Sequence, residues 1–255
     1  MANLVLPADK AGQHRIEGLV LSVMDYREND GIIKLAAPDR ICTVFARGIQ
    51  KETSKNRRLA MPASRVILNY DPQYSSSMLY LINGSVEKSY WQVSQSLEMQ
   101  SVNALLSALI QRYEMTPEIY SDLEAFWKAV CEKQENRAML FACRLAILIL
   151  KQAGTVMDVD ECAVCGIQKN IAGISMNSGG FVCLDHFDGE TGDLKWDKAR
   201  LRQLRWLVHA SRPNLEKLES FRWDLDFFIF LMDWYVFTTD MPLQALSFLK
   251  SLARP

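Results

Sequence analysis

The feature that most constrains this chain is a set of three cysteines and one histidine arranged as two close pairs. Cys162 and Cys165 are separated by two residues, and Cys183 and His186 repeat that spacing after an interval of seventeen residues. Each pair of this kind forms a knuckle that offers two ligands to one tetrahedral ion. The spacing therefore predicts one structural Zn²⁺ bound by all four side chains, inside a module that spans 158–187.

The glycines around the two pairs fit the same interpretation. Gly166 follows the first pair and Gly179 and Gly180 precede the second, where the backbone has to turn tightly around a metal. A redox Cys-x-x-Cys pair is the alternative for the first two cysteines, but it leaves the second pair unexplained.

A full set of four ligands leaves no open coordination position, so the site is expected to be structural rather than catalytic. The chain has only three histidines and no His-Glu-x-x-His motif, and the His-x-Glu element of zinc deaminases is missing. No acid, base and nucleophile set can be named from the sequence. We therefore predict that the protein is not an enzyme.

Composition and the remaining cysteines indicate a soluble intracellular protein. The 255 residues are 49% hydrophobic and 23% charged, which is ordinary for a globular chain of two domains. Cys42, Cys131 and Cys143 stand singly in apolar segments, as core thiols do, rather than forming a disulfide framework. Residues 1–13 do not resemble a signal peptide, and the longest apolar stretch, Met139–Leu150, is too short to span a bilayer. We expect a cytoplasmic location and no membrane contact.

The first 90 residues are predicted to be a β domain. Short runs rich in Val, Ile, Leu and Tyr are separated by turn residues, as is typical of strands. The predicted strands are Arg15–Met24, Gly31–Ala36, Ile41–Arg47, Val66–Tyr70 and Met78–Ile82. Five strands with one long loop after the third favour a small OB-type barrel that binds nucleic acid, and an SH3-like barrel is the alternative.

Residues 91–255 are predicted to be an all-α helical bundle that contains the cysteine module, so the fold class is α+β multidomain. Apolar residues recur at helical spacing, and Thr116-Pro117 has the pattern of a helix start. The predicted helices are Leu97–Tyr113, 117–132, Gln134–Ala153, Trp196–Ser211, Trp223–Thr238 and Pro242–Leu252. The third is apolar on most sides, which predicts that it lies at the centre of the bundle.

A basic segment follows the predicted third strand. Seven cations lie from Arg40 to Arg65 against the single acid Glu52, although the whole chain has a net charge of −1. Such a loop is often merely solvated, but on an OB barrel it lies where nucleic-acid backbones are bound. The predicted DNA-binding set is Lys34, Arg40, Arg47, Lys51, Lys55, Arg57 and Arg58. Bases could stack on Tyr26, Phe45, Tyr70, Tyr74 or Tyr80, although aromatic residues in strands more often belong to the core.

Taken in order, several segments resemble the bacterial RecO family of DNA repair and recombination mediators. Glu17–Ser22 and Asp25–Asp30 are similar to the family's first strand and turn, and Phe45–Gly48 to its third strand. Ser178–Cys183 is similar to its second knuckle, and Met241–Leu249 to its C-terminal helix. Many members of that family have cysteine where this chain has His186, and zinc accepts either ligand.

The resemblance implies a non-enzymatic protein with several partners. Members of the family bind single- and double-stranded DNA and anneal complementary strands. They engage the C-terminal tail of the single-stranded-DNA-binding protein (SSB) and act with RecR to load RecA. An acidic tail with an apolar end needs an apolar pocket rimmed by cations, and Arg137, Arg144 and Lys151 along the third helix are the predicted wall. The resemblance also implies a nucleoid-associated location. A zinc-ribbon interaction module or transcription-associated scaffold, whose barrel binds another protein, is the alternative.

Overall fold

The computed structural model of the protein describes residues 14–71, 78–211 and 214–253. The chain forms two compact units that divide between Lys133 and Gln134. The predicted domain boundary after residue 90 stays a prediction, and the two helices that follow it group with the barrel in the first unit. The two units are described separately below.

The first unit is built on a closed five-stranded barrel. Its strands are β1 (His14–Tyr26), β2 (Asp30–Ala37), β3 (Arg40–Ala46), β4 (Ser64–Asp71) and β5 (Leu79–Ser89). They close in the order β1-β2-β3-β5-β4, and β1 also pairs with β4. β3 and β5 are parallel, while the other neighbours are antiparallel. The predicted N-terminal barrel of OB type is confirmed.

The barrel interior follows from the alternation of side chains along each strand. The inward residues are apolar and almost fully buried: Ile16, Val20, Ile33, Leu35, Val44, Val66 and Leu68. A short 3-10 helix, Arg57–Ala60, lies in the long connection between β3 and β4 and inserts Leu59 into the same core. The β3–β4 connection, which carries most of the predicted DNA-binding residues, is therefore anchored to the barrel by an apolar contact.

Two helices complete the first unit. Helix α1 (Leu97–Ile110) begins at the cap Ser96, and α2 (Pro117–Cys131) begins at Thr116, whose hydroxyl accepts the backbone N–H of Ile119 at 3.2 Å. The predicted start at Thr116-Pro117 is confirmed. The two helices are joined by a buried hydrogen bond, in which the Trp127 indole N–H donates to Oδ1 of Asn103 at 2.6 Å.

The second unit begins with α3 (Glu135–Gln152), the predicted central helix. Twelve of its eighteen residues are buried, so it is covered on most sides. A three-stranded sheet follows, in the order β7-β6-β8, with β6 (Ile171–Ser175), β7 (Gly180–Cys183) and β8 (Leu194–Lys195). The later helices are α4 (Lys198–Val208), α5 (Leu215–Glu219), α6 (Leu225–Thr239) and α7 (Gln244–Ala253). The helical bundle with an inserted cysteine module is confirmed.

Helix α6 supplies much of the aromatic core of the second unit. Phe227, Phe228, Trp234 and Tyr235 are all buried, and α6 packs against α3. The Trp234 indole N–H donates to the carbonyl of Thr155 at 2.9 Å, which fixes α6 to the chain just after α3. Across the described ranges, no helix combines the length and apolar character needed to cross a membrane.

Candidate metal site and nucleic-acid interface

The four predicted metal ligands lie together in the second unit. The ligand atoms of Cys162, Cys165, Cys183 and His186 are all within 4.8 Å of one another. The Sγ atoms of Cys165 and Cys183 are 3.9 Å apart, and Nδ1 of His186 lies 3.8 Å from Sγ of Cys162 and 3.3 Å from Sγ of Cys183. A tetrahedral zinc ion with ordinary bond lengths separates two sulfurs by about 3.8 Å and a sulfur from a nitrogen by about 3.6 Å. The cluster fits a metal ion of that kind.

Backbone turns hold the ligand pairs in place. In the first pair, the carbonyl of Cys162 accepts the N–H of Gly166 at 2.8 Å, and Gly166 has a φ of +74°. In the second pair, the carbonyl of Cys183 accepts the N–H of His186 at 3.1 Å. Strand β7 delivers Cys183, and at its start Gly180 lies against the backbone of Asp158 so closely that an added Cβ would overlap it. The predicted need for glycine therefore has two causes, a positive φ at Gly166 and close packing at Gly180.

The thiols differ in their readiness to ionise. Desolvation raises the pKa of Cys162, but hydrogen bonds from backbone N–H groups, with that of Cys183 the largest contributor, outweigh it and lower the pKa to about 6. At Cys165 the backbone N–H of Ile167 lowers the pKa, and desolvation together with the neighbouring sulfurs reverses this and raises it. The site is therefore polarised toward a thiolate at Cys162, and a bound cation would favour the thiolate form of every sulfur.

A cleft opens at the end of the barrel where the β1–β2 turn, β3 and the start of β5 meet. It has a volume of about 790 Å³. Its lining combines aromatic, apolar and charged residues: Tyr26, Arg27, Glu28, Asn29, Asp30, Ile32, Phe45, Arg47, Gly48, Lys51, Met78 and Tyr80. In OB barrels the face of the second and third strands and the adjoining loops bind oligonucleotides. The cleft lies on that part of the barrel.

Three aromatic rings form a continuous row in this cleft. The ring centroids of Tyr26 and Phe45 are 5.9 Å apart, and those of Phe45 and Tyr80 are 5.4 Å apart, both pairs in edge-to-face orientation. Tyr26 keeps 41% of its surface exposed, and the guanidinium of Arg27 lies 5.2 Å from its ring centroid. Where exposed rings lie beside cations, bases can stack on the rings while the cations bind the phosphates.

Hydrogen bonds fix the turn that forms one wall of the cleft. The Asp30 carboxylate accepts the backbone N–H of Gly48 at 2.7 Å, and the carbonyl of Asn29 accepts that of Gln50 at 2.9 Å. The Gln50 side chain donates to the Asp25 carboxylate at 2.7 Å. The β1–β2 turn is thereby joined to the segment after β3, so the cleft is formed before a ligand arrives.

The predicted DNA-binding residues of the β3–β4 connection lie in two neighbouring hollows. Arg47 and Lys51 line the aromatic cleft, and both are exposed. Lys55, Arg57 and Arg58 line a second hollow of about 720 Å³. The sequence grouped these five cations, and the fold brings two of them to the aromatic row.

The other two predicted residues are placed differently. The Lys34 ammonium donates to the Thr43 hydroxyl at 2.8 Å, between β2 and β3. Arg40 begins β3, next to Asp39 at 3.5 Å, whereas Arg47 directly follows its last residue. Because a strand rises about 3.3 Å per residue, the seven residue steps from Arg40 to Arg47 correspond to roughly 23 Å along the direction of β3.

The residues predicted to bind the SSB tail do not form one exposed face of α3. Arg137 is exposed, pairs with Glu219 at 3.3 Å, and has its guanidinium 5.8 Å from the ring centroid of Phe141. Arg144 is only 3% exposed, while Lys151 is exposed. Arg144 is therefore not accessible to a ligand at the surface.

Sequence reasoning did not single out Arg27, which lies in the cleft wall beside Tyr26. The segment Asp25–Asp30 resembles the first turn of the RecO family, and a cation next to an aromatic residue at a barrel turn is the pattern that would have identified Arg27. Of the aromatic candidates, Tyr70 belongs to the barrel core and Tyr74 lies outside the described residues.

Comparison with known proteins gives a consistent family match. The family model described as "Recombination protein O C terminal" matches residues 96–229. Three proteins named DNA repair protein RecO are similar over most of the chain. The Caldanaerobacter subterraneus subsp. tengcongensis protein is 23% identical over 196 residues, covering 72% of this chain and 78% of its own. The Bacillus pumilus protein is 23% identical over 208 residues, covering 80% of each chain, and the Lactobacillus delbrueckii subsp. bulgaricus protein is 25% identical over 183 residues, covering 68% and 70%.

Proposed function

The chain belongs to the RecO family, because the family match spans more than half of its length, and on that premise we propose that it is a DNA repair and homologous recombination mediator. The observation that carries the proposal is the barrel cleft, where three aromatic rings and the cations Arg27, Arg47 and Lys51 lie together. Binding and pairing DNA strands needs only such surfaces and no catalytic residues, so the proposed activity is non-enzymatic.

In this proposal the cleft holds a single strand. Bases splayed out of a strand stack on Tyr26, Phe45 and Tyr80, which have no equivalent use with a base-paired duplex. The phosphates lie toward Arg27, Arg47 and Lys51, and the second hollow with Lys55, Arg57 and Arg58 continues the cationic path. Duplex DNA is bound through the backbone alone.

Salt dependence tests the cleft. Replacing Arg27, Arg47 and Lys51 with alanine removes three phosphate contacts, so the slope of log K against log[salt] for a single strand should flatten by about 2.1. A control that replaces Lys128, Lys169 and Arg222, three exposed cations elsewhere, makes the same change in net charge. Equal slopes for the cleft variant, the control and the unaltered protein would refute the assignment.

The partners follow from the mediator role. We propose that the protein anneals complementary strands and acts with RecR to load RecA onto DNA coated by SSB, in the bacterial cytoplasm at the nucleoid. The test is annealing of complementary strands that have been coated with SSB beforehand. Acceleration only on naked DNA would contradict the mediator role and leave DNA binding in place.

The SSB tail is proposed to bind near α3. Arg137 and Lys151 are the exposed cations of the predicted set, and the guanidinium of Arg137 lies over the ring of the buried Phe141, so the acidic group of the tail would be met by a cation that is backed by an apolar side chain. An acidic peptide ending in phenylalanine should bind at low salt, and R137A should weaken it. No measurable binding of this peptide would remove the tail site.

The cysteine cluster is proposed to hold one structural Zn²⁺. Cys162, Cys165, Cys183 and His186 fill a tetrahedron, so the ion would stabilise the module without taking part in a reaction. Metal analysis of protein purified without chelator should give about one zinc per chain. Iron or no metal in that preparation would contradict the assignment.

A second function, docking of another protein on the cysteine module, is favoured by one observation. Val164, Ile167 and Leu184 flank the metal ligands and are 53%, 48% and 66% exposed. Apolar side chains displayed on a rigid knuckle suit a protein interface. Polar substitutions at these positions would impair a scaffold but would leave the affinity for naked single-stranded DNA unchanged.

A further inference from the structure

Charge is strongly segregated in the sequence of the second unit. Residues 158–193 contain seven Asp/Glu and one Lys, whereas residues 195–222 contain eight Lys/Arg and three Asp/Glu. The second segment includes α4, which is not part of the metal site and has no role in the proposed cleft. This segment therefore has a local net charge of +5, although the net charge of the whole chain is close to zero.

Helix α4 presents three of its four Lys/Arg side chains on one face, while Arg200 pairs with Asp224 at 3.4 Å. Lys198, Arg202, Arg205 and the following His209 recur at steps of four, three and four residues, and all four are exposed. The opposite face is buried through Leu201, Leu204, Leu207 and Val208. With a rise of 1.5 Å per residue, the basic row extends for about 16 Å. We refer to Lys198, Arg202 and Arg205 as the α4 basic face.

Little acid neutralises this face. Asp160 accepts from both Arg205 at 2.9 Å and His209 at 3.0 Å. Within the part of the chain that the structure describes, Lys198 and Arg202 make no ion pair. Two cations are therefore available, and a third is shared with a single carboxylate.

We propose that the α4 basic face is a second binding surface for the phosphodiester backbone of nucleic acid. Successive cations lie about 4.5–6 Å apart along the helix axis, a step of one to two nucleotides at about 3.4 Å each. The inference stands on α4 alone, although its use in pairing two strands rests on the proposed function.

The neighbouring aromatic residue favours a phosphate backbone over an acidic protein. Trp206 is half-buried, and the ammonium of Lys217 lies 5.0 Å from its ring centroid. Protein interfaces depend on apolar or aromatic anchors that enter a partner's pocket. Here a cation covers the ring. The surface therefore gains positive charge, and the ring is not open to enter a partner's pocket.

The test uses the full chain with the cations of the cleft removed, so that the α4 basic face contributes a larger share of the DNA binding that remains. Arg27, Arg47 and Lys51 are replaced by alanine, and binding of a single strand and of a duplex of equal length is followed by fluorescence anisotropy. Adding K198A and R202A should flatten the duplex salt slope by about 1.8 and weaken duplex binding at 0.1 M salt about 60-fold. For a single strand the corresponding changes are about 1.4 and about 25-fold.

Asp160 provides a test of opposite sign. D160N keeps the shape of the side chain and removes the carboxylate that pairs with Arg205 and His209, so DNA binding should tighten, by up to about eightfold at 0.1 M salt if Arg205 gains one duplex phosphate. A variant that merely disturbed the structure would not bind more tightly.

The outcomes separate the two proposals. Weaker binding of either DNA form on adding K198A and R202A, together with tighter binding by D160N, supports the α4 basic face. The DNA form whose binding weakens is the form that this face binds. If both forms bind unchanged, or the cleft variant alone abolishes all binding, the α4 proposal is overturned while the cleft stands. If the cleft variant binds DNA with unchanged affinity and the α4 substitutions weaken binding, the assignment of DNA binding to the cleft is refuted instead. Replacing Lys128 and Lys169, two exposed cations elsewhere, in the cleft variant is the charge-matched control.

Discussion

Replacing Tyr26 with alanine is expected to weaken single-stranded DNA binding without changing its salt dependence. The ring is 41% exposed at the mouth of the cleft, where a base can stack on it. Stacking of one base on an aromatic side chain contributes about 1–3 kcal/mol, so affinity should fall roughly 5- to 160-fold. Since Tyr26 carries no charge, the number of released counterions is unaltered and the slope of log K against log[salt] should stay the same.

The matched control for this prediction is Tyr26→Phe, which keeps the ring and should bind like the unaltered protein. Both variants retain Arg27, whose guanidinium lies 5.2 Å from the ring centroid, so Y26A also loses a cation–π contact. Fluorescence anisotropy with a thymidine oligonucleotide at roughly 50 to 300 mM salt gives affinity and slope together. Binding by Y26A within twofold of Y26F, or a flattened slope in Y26A, would refute base stacking at this position.

Three further predictions concern the stability of the two units. Cys183→Ala should abolish stoichiometric metal binding and unfold the cysteine module, leaving the barrel's circular dichroism unchanged, because structural zinc contributes about 10–16 kcal/mol in small peptide domains. Asn103→Ala should lower the free energy of unfolding by about 1–3 kcal/mol in a urea titration, since the Trp127 indole N–H, now 2.6 Å from its acceptor, would be buried without one. Gly180→Ala should weaken retention of the metal against a chelator, because its Cβ would overlap the backbone of Asp158; unchanged retention would contradict the close packing.

The sequence predicted the barrel strands because short runs rich in Val, Ile, Leu and Tyr are separated by turn residues. It did not predict their order, since the parallel pairing of Val44 in β3 with Leu79 in β5 joins segments far apart in the chain. That pairing brings Tyr80 beside Phe45 and so creates the aromatic row. The sequence therefore offered these aromatic residues as separate candidates, and only the fold shows that they lie in one row.

The metal ligands were predictable because their chemistry is encoded in short-range spacing. The strands around them were not, since β6, β7 and β8 are only two to five residues long and include glycines that propensity assigns to turns. Their register depends on close approach, as at Gly173, where Phe187 and the backbone of Leu194 fill the space a side chain would need.

Charge was the least predictable property of the candidate sites. Arg137, Arg144 and Lys151 recur every seven residues, which suggests one face of α3, yet the helix is buried on most sides and Arg144 lies inside. Helical spacing fixes which residues share a face, but only packing decides whether that face meets solvent. On α4 the cations of the basic face meet solvent because the opposite face carries the buried leucines.

Strand annealing should distinguish a protein with one DNA surface from a protein with two. Two strands repel each other as polyanions, so a protein that holds one strand in the cleft and the other on the α4 basic face removes part of that repulsion. With the cleft intact, K198A and R202A should leave the affinity for a strand of about 12 nucleotides, short enough for one barrel, within about twofold. The rate of annealing should nevertheless fall, and more steeply at low salt, where repulsion is least screened. An unchanged annealing rate in a variant that has lost the α4 contribution would show that the two surfaces do not cooperate in pairing strands.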